Sequence, residues 1–255
     1  MSDKARKIRL DKLLADCGLA VSRERAQALI LAGRVLVNEQ KQTKPGFSVD
    51  PEAALRVLGQ DLKYVSRGGL KLEAALQHWV VDLHGRDCLD VGASTGGFTD
   101  CMLQAGAPSV LAVDTGWGQI AQKLRSDPRV ALLERTNARK LAPLELQNSF
   151  PQSHLSFLAM DVSFISATLV LPAVLQAAPG LSEAVVLVKP QFEAGREWVG
   201  KGGIVRDPAA HALAQEKVVT CALENGAVDV ELIDSPITGA EGNREFLLHA
   251  RWERS

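Results

Sequence analysis

The run Leu89-Asp90-Val91-Gly92-Ala93-Ser94-Thr95-Gly96-Gly97-Phe98 constrains this chain more than any other stretch. It reads as a buried strand, a glycine turn and the start of a helix. Glycines in such a turn let a ligand approach the backbone closely. The helix N-terminus offers unpaired N–H groups to a polar or anionic group. The next apolar run, Leu111-Ala112-Val113, closes on Asp114. About 20 residues past the glycines is where a Rossmann-like fold keeps the carboxylate that holds a ribose diol.

The turn separates ligand classes. Gly92 is followed by Ala93-Ser94-Thr95, which is not the Gly-x-Gly-x-x-Gly of nicotinamide enzymes, and no Gly-Lys-Ser/Thr of a P-loop occurs. Asp90, just ahead of the first glycine, suits a cationic, nucleoside-bearing ligand such as S-adenosylmethionine.

Apolar runs recur at Cys88 to Val91, Val110 to Val113, Val130 to Leu133, Leu155 to Met160, Ala184 to Val188, Val228 to Ile233 and Phe246 to His249. Helical patterns lie between most of them. Leu72, Ala75, Leu76 and Trp79 form one stripe, Phe98, Cys101, Met102 and Ala105 a second, and Trp117, Ile120, Ala121 and Leu124 a third. Asp207-Pro208 starts a helix that Asn225-Gly226 ends. This alternation predicts an α/β fold, a Rossmann-like sheet with helices on both faces.

Length allows one mid-sized domain and a small one. Cys17, Cys88, Cys101 and Cys221 are scattered without a Cys-x-x-Cys, which reads as reduced cysteines of a cytoplasmic protein and gives no metal site. The charged start Met1-Ser2-Asp3-Lys4 is not a signal peptide. Between Ser166 and Val188 only Glu183 is charged, but Pro172 and Pro179-Gly180 divide the stretch into a helix, a turn and a strand, not a membrane span. Residues 1–71 hold 14 basic and 8 acidic residues, a charge of +6, and the remainder holds 15 and 22, a charge of −7. A basic arm on an acidic body points to a polyanionic partner.

The arm has its own pattern. Arg9-Leu10-Asp11-Lys12-Leu13-Leu14 begins a short helix that stops near Gly18, and Ser22 caps a second helix carrying Ala26, Leu29, Ile30 and Gly33. Arg34-Val35-Leu36-Val37-Asn38 is a strand and turn, and Lys44-Pro45-Gly46 is another turn. These residues resemble the S4-type RNA-binding domain. The resemblance implies an α+β unit over residues 1–62 in which Arg9, Lys12, Arg23, Arg25 and Arg34 face RNA phosphate. Residues 63–69 read as a linker, with Ser66 or a neighbour capping the next helix, and residues 70–255 as the second domain.

In that domain polar residues close the strands. Asp161 ends the fourth apolar run, Lys189 the fifth, and Glu245 opens the last. Ligands of open α/β sheets bind at the carboxyl ends of strands. Here the chain resembles the FtsJ-type, Rossmann-like, S-adenosylmethionine-dependent methyltransferases, and among them the TlyA/haemolysin A family, which joins an S4 domain to such a catalytic domain. The resemblance implies a seven-stranded sheet of order 3-2-1-4-5-7-6 with the seventh strand antiparallel. It implies that Lys71, Asp161, Lys189 and Glu245 converge as a catalytic tetrad.

The chemistry suits these residue types. A ribose 2′-hydroxyl is a poor nucleophile and must lose its proton as it attacks a sulfonium methyl. Burial and a second ammonium nearby favour a neutral lysine that can accept it. Lys189 is the candidate base, Lys71 the neighbouring cation, and Asp161 and Glu245 the groups that orient the amines.

On the cofactor side, Asp90, Gly92, Ser94, Gly96, Gly97, Phe98 and Thr99 resemble the motif that cradles S-adenosylmethionine. Asp114 resembles the ribose-diol acid, and the resemblance implies that Asn137-Ala138 lie beside adenine and that Asp161 meets cofactor and substrate. For RNA, Arg67, Phe164, Arg196, Lys201 and Arg206 join the arm. Phe164 is either a stacking surface for a flipped nucleotide or a core side chain. The glycine-rich loop Gly195 to Arg206 is a candidate mobile substrate loop.

The resulting expectation is a cytoplasmic ribosomal RNA ribose 2′-O-methyltransferase that meets ribosomal RNA or ribosomal subunits and no membrane, with a monomer favoured. The resemblance implies cytidine targets. Two other classes stand beside it: an S4 RNA-binding protein with a non-catalytic cofactor scaffold, and a cytolysin as the haemolysin label would have it. A complete tetrad argues against the first, and the lack of a signal peptide or pore-strand pattern against the second. Pseudouridine synthases share the S4 domain but have no need of the glycine turn and Asp114.

Overall fold

A computed structural model describes residues 7–17, 19–20, 22–58, 63–150, 154–239 and 242–253. The chain divides into two compact units, Met1–Asp61 and Leu62–Ser255.

In the first unit a short strand β1 (Ile8–Arg9) runs into helix α1 (Leu10–Asp16), followed by α2 (Arg23–Leu31), β2 (Val35–Val37), β3 (Gln40–Gln42), β4 (Ser48–Val49) and β5 (Leu55–Val57). β2 pairs antiparallel with both β3 and β5, and β1 pairs with β4. Ser22 caps α2 by accepting from the Arg25 N–H at 3.2 Å, as its position predicts. Asn38 and Glu39, with φ of 50° and 62°, make the two-residue turn between β2 and β3. Positive φ at both positions matches the twist of a tight hairpin. The α1 end sits at Asp16, with Cys17 as its cap; Gly18 lies outside the described residues. Leu10, Leu14, Leu29, Ile30 and Val35 fill the core of this unit.

The second unit opens with α3 (Gly68–His78) and alternates through β6 (Asp87–Val91), α4 (Gly97–Gln104), β7 (Ser109–Val113), α5 (Gln122–Arg125), β8 (Val130–Leu133), α6 (Pro143–Ser149), β9 (Leu155–Met160), α7 (Ala167–Ala177), β10 (Glu183–Val188), α8 (Pro190–Glu193), α9 (Pro208–Glu224), β11 (Asp229–Asp234) and β12 (Phe246–Arg251). The sheet order is β11-β12-β10-β9-β6-β7-β8. All pairs are parallel except those of β12, which runs antiparallel to β10 and β11. This is the order that the resemblance implied. Side-chain alternation sends Leu89 and Val91 to a core layer shared with α7 and α9, and Cys88 to the opposite layer shared with α3 and α4. Asp207 caps α9 by accepting from the Ala209 N–H at 2.8 Å, and Asn225 ends it. No helix among the described residues is long and apolar enough to cross a membrane. Cys88, Cys101 and Cys221 are buried, whereas Cys17 is exposed.

One local expectation fails. The stripe from Trp117 does not form a helix of that length: α5 begins only at Gln122, because Gly118 at φ 71° turns the chain. Ile120 and Leu124 are buried, but Trp117 is 66 % exposed, with the Arg135 guanidinium 5.1 Å from its ring centroid. Arg67, the neighbour of Ser66, holds the cap position of α3, without a side-chain capping bond. The segment read as a linker is anchored. Tyr64 is buried against Gly69, and the Val65 N–H donates to Asp100 Oδ2 at 2.8 Å. The loop from Gly195 to Arg206 is pinned by Asn243, which accepts from the Val205 N–H at 3.0 Å and donates to the Gly203 carbonyl at 2.9 Å.

Candidate active site

Sterics place the glycine turn against its neighbour strand. Gly92 leaves β6 at φ 87°, and a Cβ there would lie 2.3 Å from the backbone oxygen of Asp161. Only glycine fits both demands. The Asp161 N–H donates to the Val91 carbonyl at 2.9 Å, which holds the ends of β6 and β9 together.

Asp114 ends β7 and accepts from the Ser94 N–H at 2.8 Å and the Gly116 N–H at 2.6 Å. Each carboxylate oxygen keeps a lone pair for a diol. Asn137 caps the short turn Ala138–Lys140 through the Arg139 N–H at 3.0 Å. Gly92, Ser94, Asp114, Asn137, Ala138 and Asp161 line one cleft. The cleft beside it carries Arg67, Lys71, Ser94, Gly97 and Phe98. Arg67, expected on the RNA side, therefore stands in the wall next to the glycine turn.

Asp90, Gly96 and Thr99 are buried behind these walls. Thr99 Oγ1 donates to Asp90 Oδ2 at 2.5 Å, while Asp90 Oδ1 has no partner among the described residues. Burial pushes the Asp90 carboxyl up to about 7. A turn that a Cβ would fill, an orphaned buried carboxylate oxygen and a diol-ready acid fit a cationic nucleoside ligand of the S-adenosylmethionine type.

The tetrad residues come together from four elements. Val188 and Phe246 are cross-strand partners of β10 and β12, so Lys189 and Glu245 flank the same sheet end. Asp161 follows β9, the parallel neighbour of β10. Lys71 reaches in from α3, where it is buried rather than solvated. Lys71 pairs with Glu245. Lys189 Nζ lies 2.5 Å from Asp161 Oδ1 and donates to Ser163 Oγ at 2.7 Å. A cavity of about 420 Å³ is lined by Lys71, Lys189, Glu245, Ser163, Phe164 and Phe192.

Phe164 is 93 % exposed at φ 64°, its ring 5.5 Å from that of Phe192. That excludes the core reading. The loop bearing it ends at Ser166, where the buried Glu193 accepts from Ser166 Oγ and, at 2.7 Å, from the Ala167 N–H. Burial raises the Glu193 carboxyl above the ordinary carboxylate range. Ser163, Phe192 and Glu193 were invisible as site residues in the sequence. The signal was their closeness to Asp161 and Lys189, which only the adjacency of β9 and β10 makes meaningful. Arg196, Lys201 and Arg206 are exposed, and Gly202 and Gly203 beside them form part of the cavity wall.

In the first unit Asp11 is buried and organises the basic face. It accepts from Arg9 Nε at 3.0 Å, Arg23 Nε at 3.1 Å and Gln27 Nε2 at 2.8 Å. The Arg9 guanidinium, ahead of the other donors, holds the Asp11 carboxyl well below the usual carboxylate range. Arg9 and Arg23 remain about half exposed. Lys12 is exposed and Arg25 partly so. Arg34 serves the fold of this unit, since its Nε donates to the Leu58 carbonyl at 2.7 Å.

The FtsJ-like methyltransferase profile matches residues 64–252. The chain belongs to the FtsJ-like methyltransferase family. An S4 domain profile matches residues 8–55. The chain is similar to the 16S/23S rRNA (cytidine-2'-O)-methyltransferase TlyA of Mycobacterium tuberculosis, 44 % identical over 97 % of this chain and 91 % of that protein. Hemolysin A of Brachyspira hyodysenteriae is 40 % identical over 95 % of this chain and 99 % of its own. A solved structure described as "Putative hemolysin from Streptococcus thermophilus" superposes with a TM-score of 0.72 at 43 % identity, covering 98 % of this chain and 90 % of that one. The FtsJ-like unit thus carries both a methyltransferase scaffold and the four acid and amine groups, three at strand ends and Lys71 on α3.

Proposed function

We propose that this FtsJ-like methyltransferase transfers a methyl group from S-adenosylmethionine to the ribose 2′-hydroxyl of a cytidine in ribosomal RNA. The observation that carries the reading is one cavity lined by Lys71, Lys189 and Glu245, next to Asp161, which pairs with Lys189 and lines the two clefts at the glycine turn. The similarity to a named cytidine-2'-O methyltransferase along nearly the whole chain supports the target class.

When bound, S-adenosylmethionine supplies an electrophilic methyl on a sulfonium centre. Gly92, Ser94, Asp114 and Asn137 would hold its nucleoside end, with the carboxylate of Asp114 accepting from the ribose diol. Lys189 serves as the base for the 2′-hydroxyl proton. Asp161 forms an ion pair with Lys189 and holds the amine near the strand end. Lys71, held by Glu245, places a cation where the oxygen gains negative character. Phe164 offers its free ring face to the unstacked base of the target nucleotide. Because these groups are held before substrate arrives, positioning supplies much of the rate. Arg9, Lys12 and Arg23 dock the RNA backbone through phosphates. The working compartment is the cytoplasm, where ribosomal subunits are found, and the working form is a monomer.

The test is nucleoside analysis of unmodified ribosomal subunits incubated with the protein and S-adenosylmethionine. The reading expects 2′-O-methylcytidine. A methyl group on a base, or on the ribose of another nucleoside, contradicts it.

A further inference from the structure

One side chain outside the tetrad touches the base directly. Lys189 Nζ donates to Ser163 Oγ at 2.7 Å, while its other close neighbour is Asp161. Ser163 borders both the cleft that holds Asp114 and the cavity that holds Lys71 and Glu245. It is exposed to that space rather than packed away. The backbone places it there. Phe164 beside it adopts a left-handed φ of 64°, and Glu193 fixes the far end of the loop at Ser166 and Ala167.

Chemistry separates Ser163 from Asp161. A carboxylate only accepts, so it partners an ammonium and has nothing to give a neutral amine. A hydroxyl accepts and donates. Ser163 can therefore hold Lys189 Nζ in both protonation states, and in the neutral state its O–H points at the amine lone pair.

We propose, on the reading of Lys189 as base in ribose methylation, that Ser163 relays the proton between the substrate 2′-hydroxyl and Lys189. As the 2′-oxygen forms its bond to the methyl carbon, the methyl–sulfur bond of the sulfonium donor breaks, its electron pair stays on sulfur as a neutral thioether, and the 2′-hydroxyl proton passes to Ser163 Oγ. The proton already on Ser163 Oγ passes to the Lys189 lone pair. The products of the relay are a methyl ether, an unchanged serine and a lysine ammonium, which then returns its proton to solvent. Asp161 steadies the ammonium so formed.

The experiment compares the full chain with Ser163→Ala and Ser163→Thr on unmodified ribosomal subunits, with Lys189→Ala alongside. Three readouts are taken: kcat and KM for RNA, the proton inventory in mixed H₂O and D₂O, and S-adenosylmethionine binding by calorimetry. Ser163→Ala should lose about 100-fold in kcat with KM changed by no more than about twofold. Ser163→Thr should regain most of that rate. The proton inventory should be curved for the wild type, with more than one proton in flight, and linear for Ser163→Ala. Cofactor binding should be the same in all three. Wild-type kcat in Ser163→Ala, equal loss in the alanine and threonine variants, or lost cofactor binding in Ser163→Ala would each overturn the relay. If Lys189→Ala is silent while Ser163→Ala is fully active, the relay fails and the ribose reading stands. Label on a base in the wild type removes both.

Discussion

Lys189 Nζ lies 2.5 Å from Asp161 Oδ1, and the two residues close adjacent parallel strands. Sheet order, not closeness in the chain, makes this contact. The same logic brings Glu245 to Lys71, because β12 is inserted antiparallel beside β10 and so presents its first residues at the strand ends where β9 and β10 finish. An antiparallel strand in an otherwise parallel sheet is what puts the carboxylate at its start beside the ends of its neighbours, where the lysine of α3 meets it.

The Lys71–Glu245 pair is buried on both sides. Removing one partner leaves an uncompensated charge. Lys71→Met should cost about 3 kcal/mol in stability, and Lys71→Met combined with Glu245→Gln should recover most of that. Urea denaturation of the single and double variants checks it. A double variant as unstable as the sum of two damaging singles would contradict it. Both variants should be inactive.

Asp90 makes stability depend on pH. Its folded-state value, near 7, stands above its unfolded value, so the folded protein binds the extra proton between about pH 4 and 7. Stability from this group is therefore present at low pH and is lost as pH rises through that window. Asp90→Asn removes the titration and can still accept from Thr99. The variant should gain thermal stability over the wild type at pH 8 and lose that gain by pH 4. Melting curves that shift in parallel at both pH values would count against it.

Phe164 is so exposed that its removal should leave the fold unchanged. Phe164→Ala should melt within about 0.5 kcal/mol of the wild type. Base–aromatic stacking of about 1–3 kcal/mol predicts a loss of roughly tenfold to a hundredfold in methylation of RNA, with cofactor binding intact. Full activity in that variant excludes stacking at this ring.

RNA docking by the first unit should read as phosphate contact. Arg23→Ala should weaken binding to ribosomal RNA and reduce the salt slope by about 1. Asp11→Asn keeps both arginines but loosens their anchor, so affinity should fall while the slope stays near the wild-type value. Titrations at several salt concentrations separate the two. An unchanged slope in Arg23→Ala would show that this residue does not meet phosphate.

Much of this architecture was legible in the residues. Each apolar run became a strand of the large sheet; the parallel strands, buried on both faces, carry near-continuous apolar sequence. Ser22, Asp207 and Asn225 marked helix ends through local bonds that need no tertiary context. What the sequence hid depends on context. Trp117 keeps helical spacing with Ile120 and Leu124, yet Gly118 breaks the helix, so the spacing was coincidental. The position of Lys71 on its helix gives no sign of a buried role; only the resemblance implied it, and Glu245, far away in the chain, supplies its partner. Ser163 and Glu193 are ordinary residue types whose roles exist only in the loop that joins β9 to α7. The short strands of the first unit, β1, β3, β4 and β5, are too brief for periodicity to reveal.

The central claim rests on Lys189 as the base of a ribose methylation. The most direct measurement incubates wild type and Lys189→Ala with radiolabelled S-adenosylmethionine and unmodified ribosomal subunits, after calorimetry has established that both bind the cofactor. The account predicts label in RNA at an alkali-resistant linkage with the wild type, and none with Lys189→Ala. Undiminished labelling by the variant, or wild-type label lost from the ribose position, would contradict it.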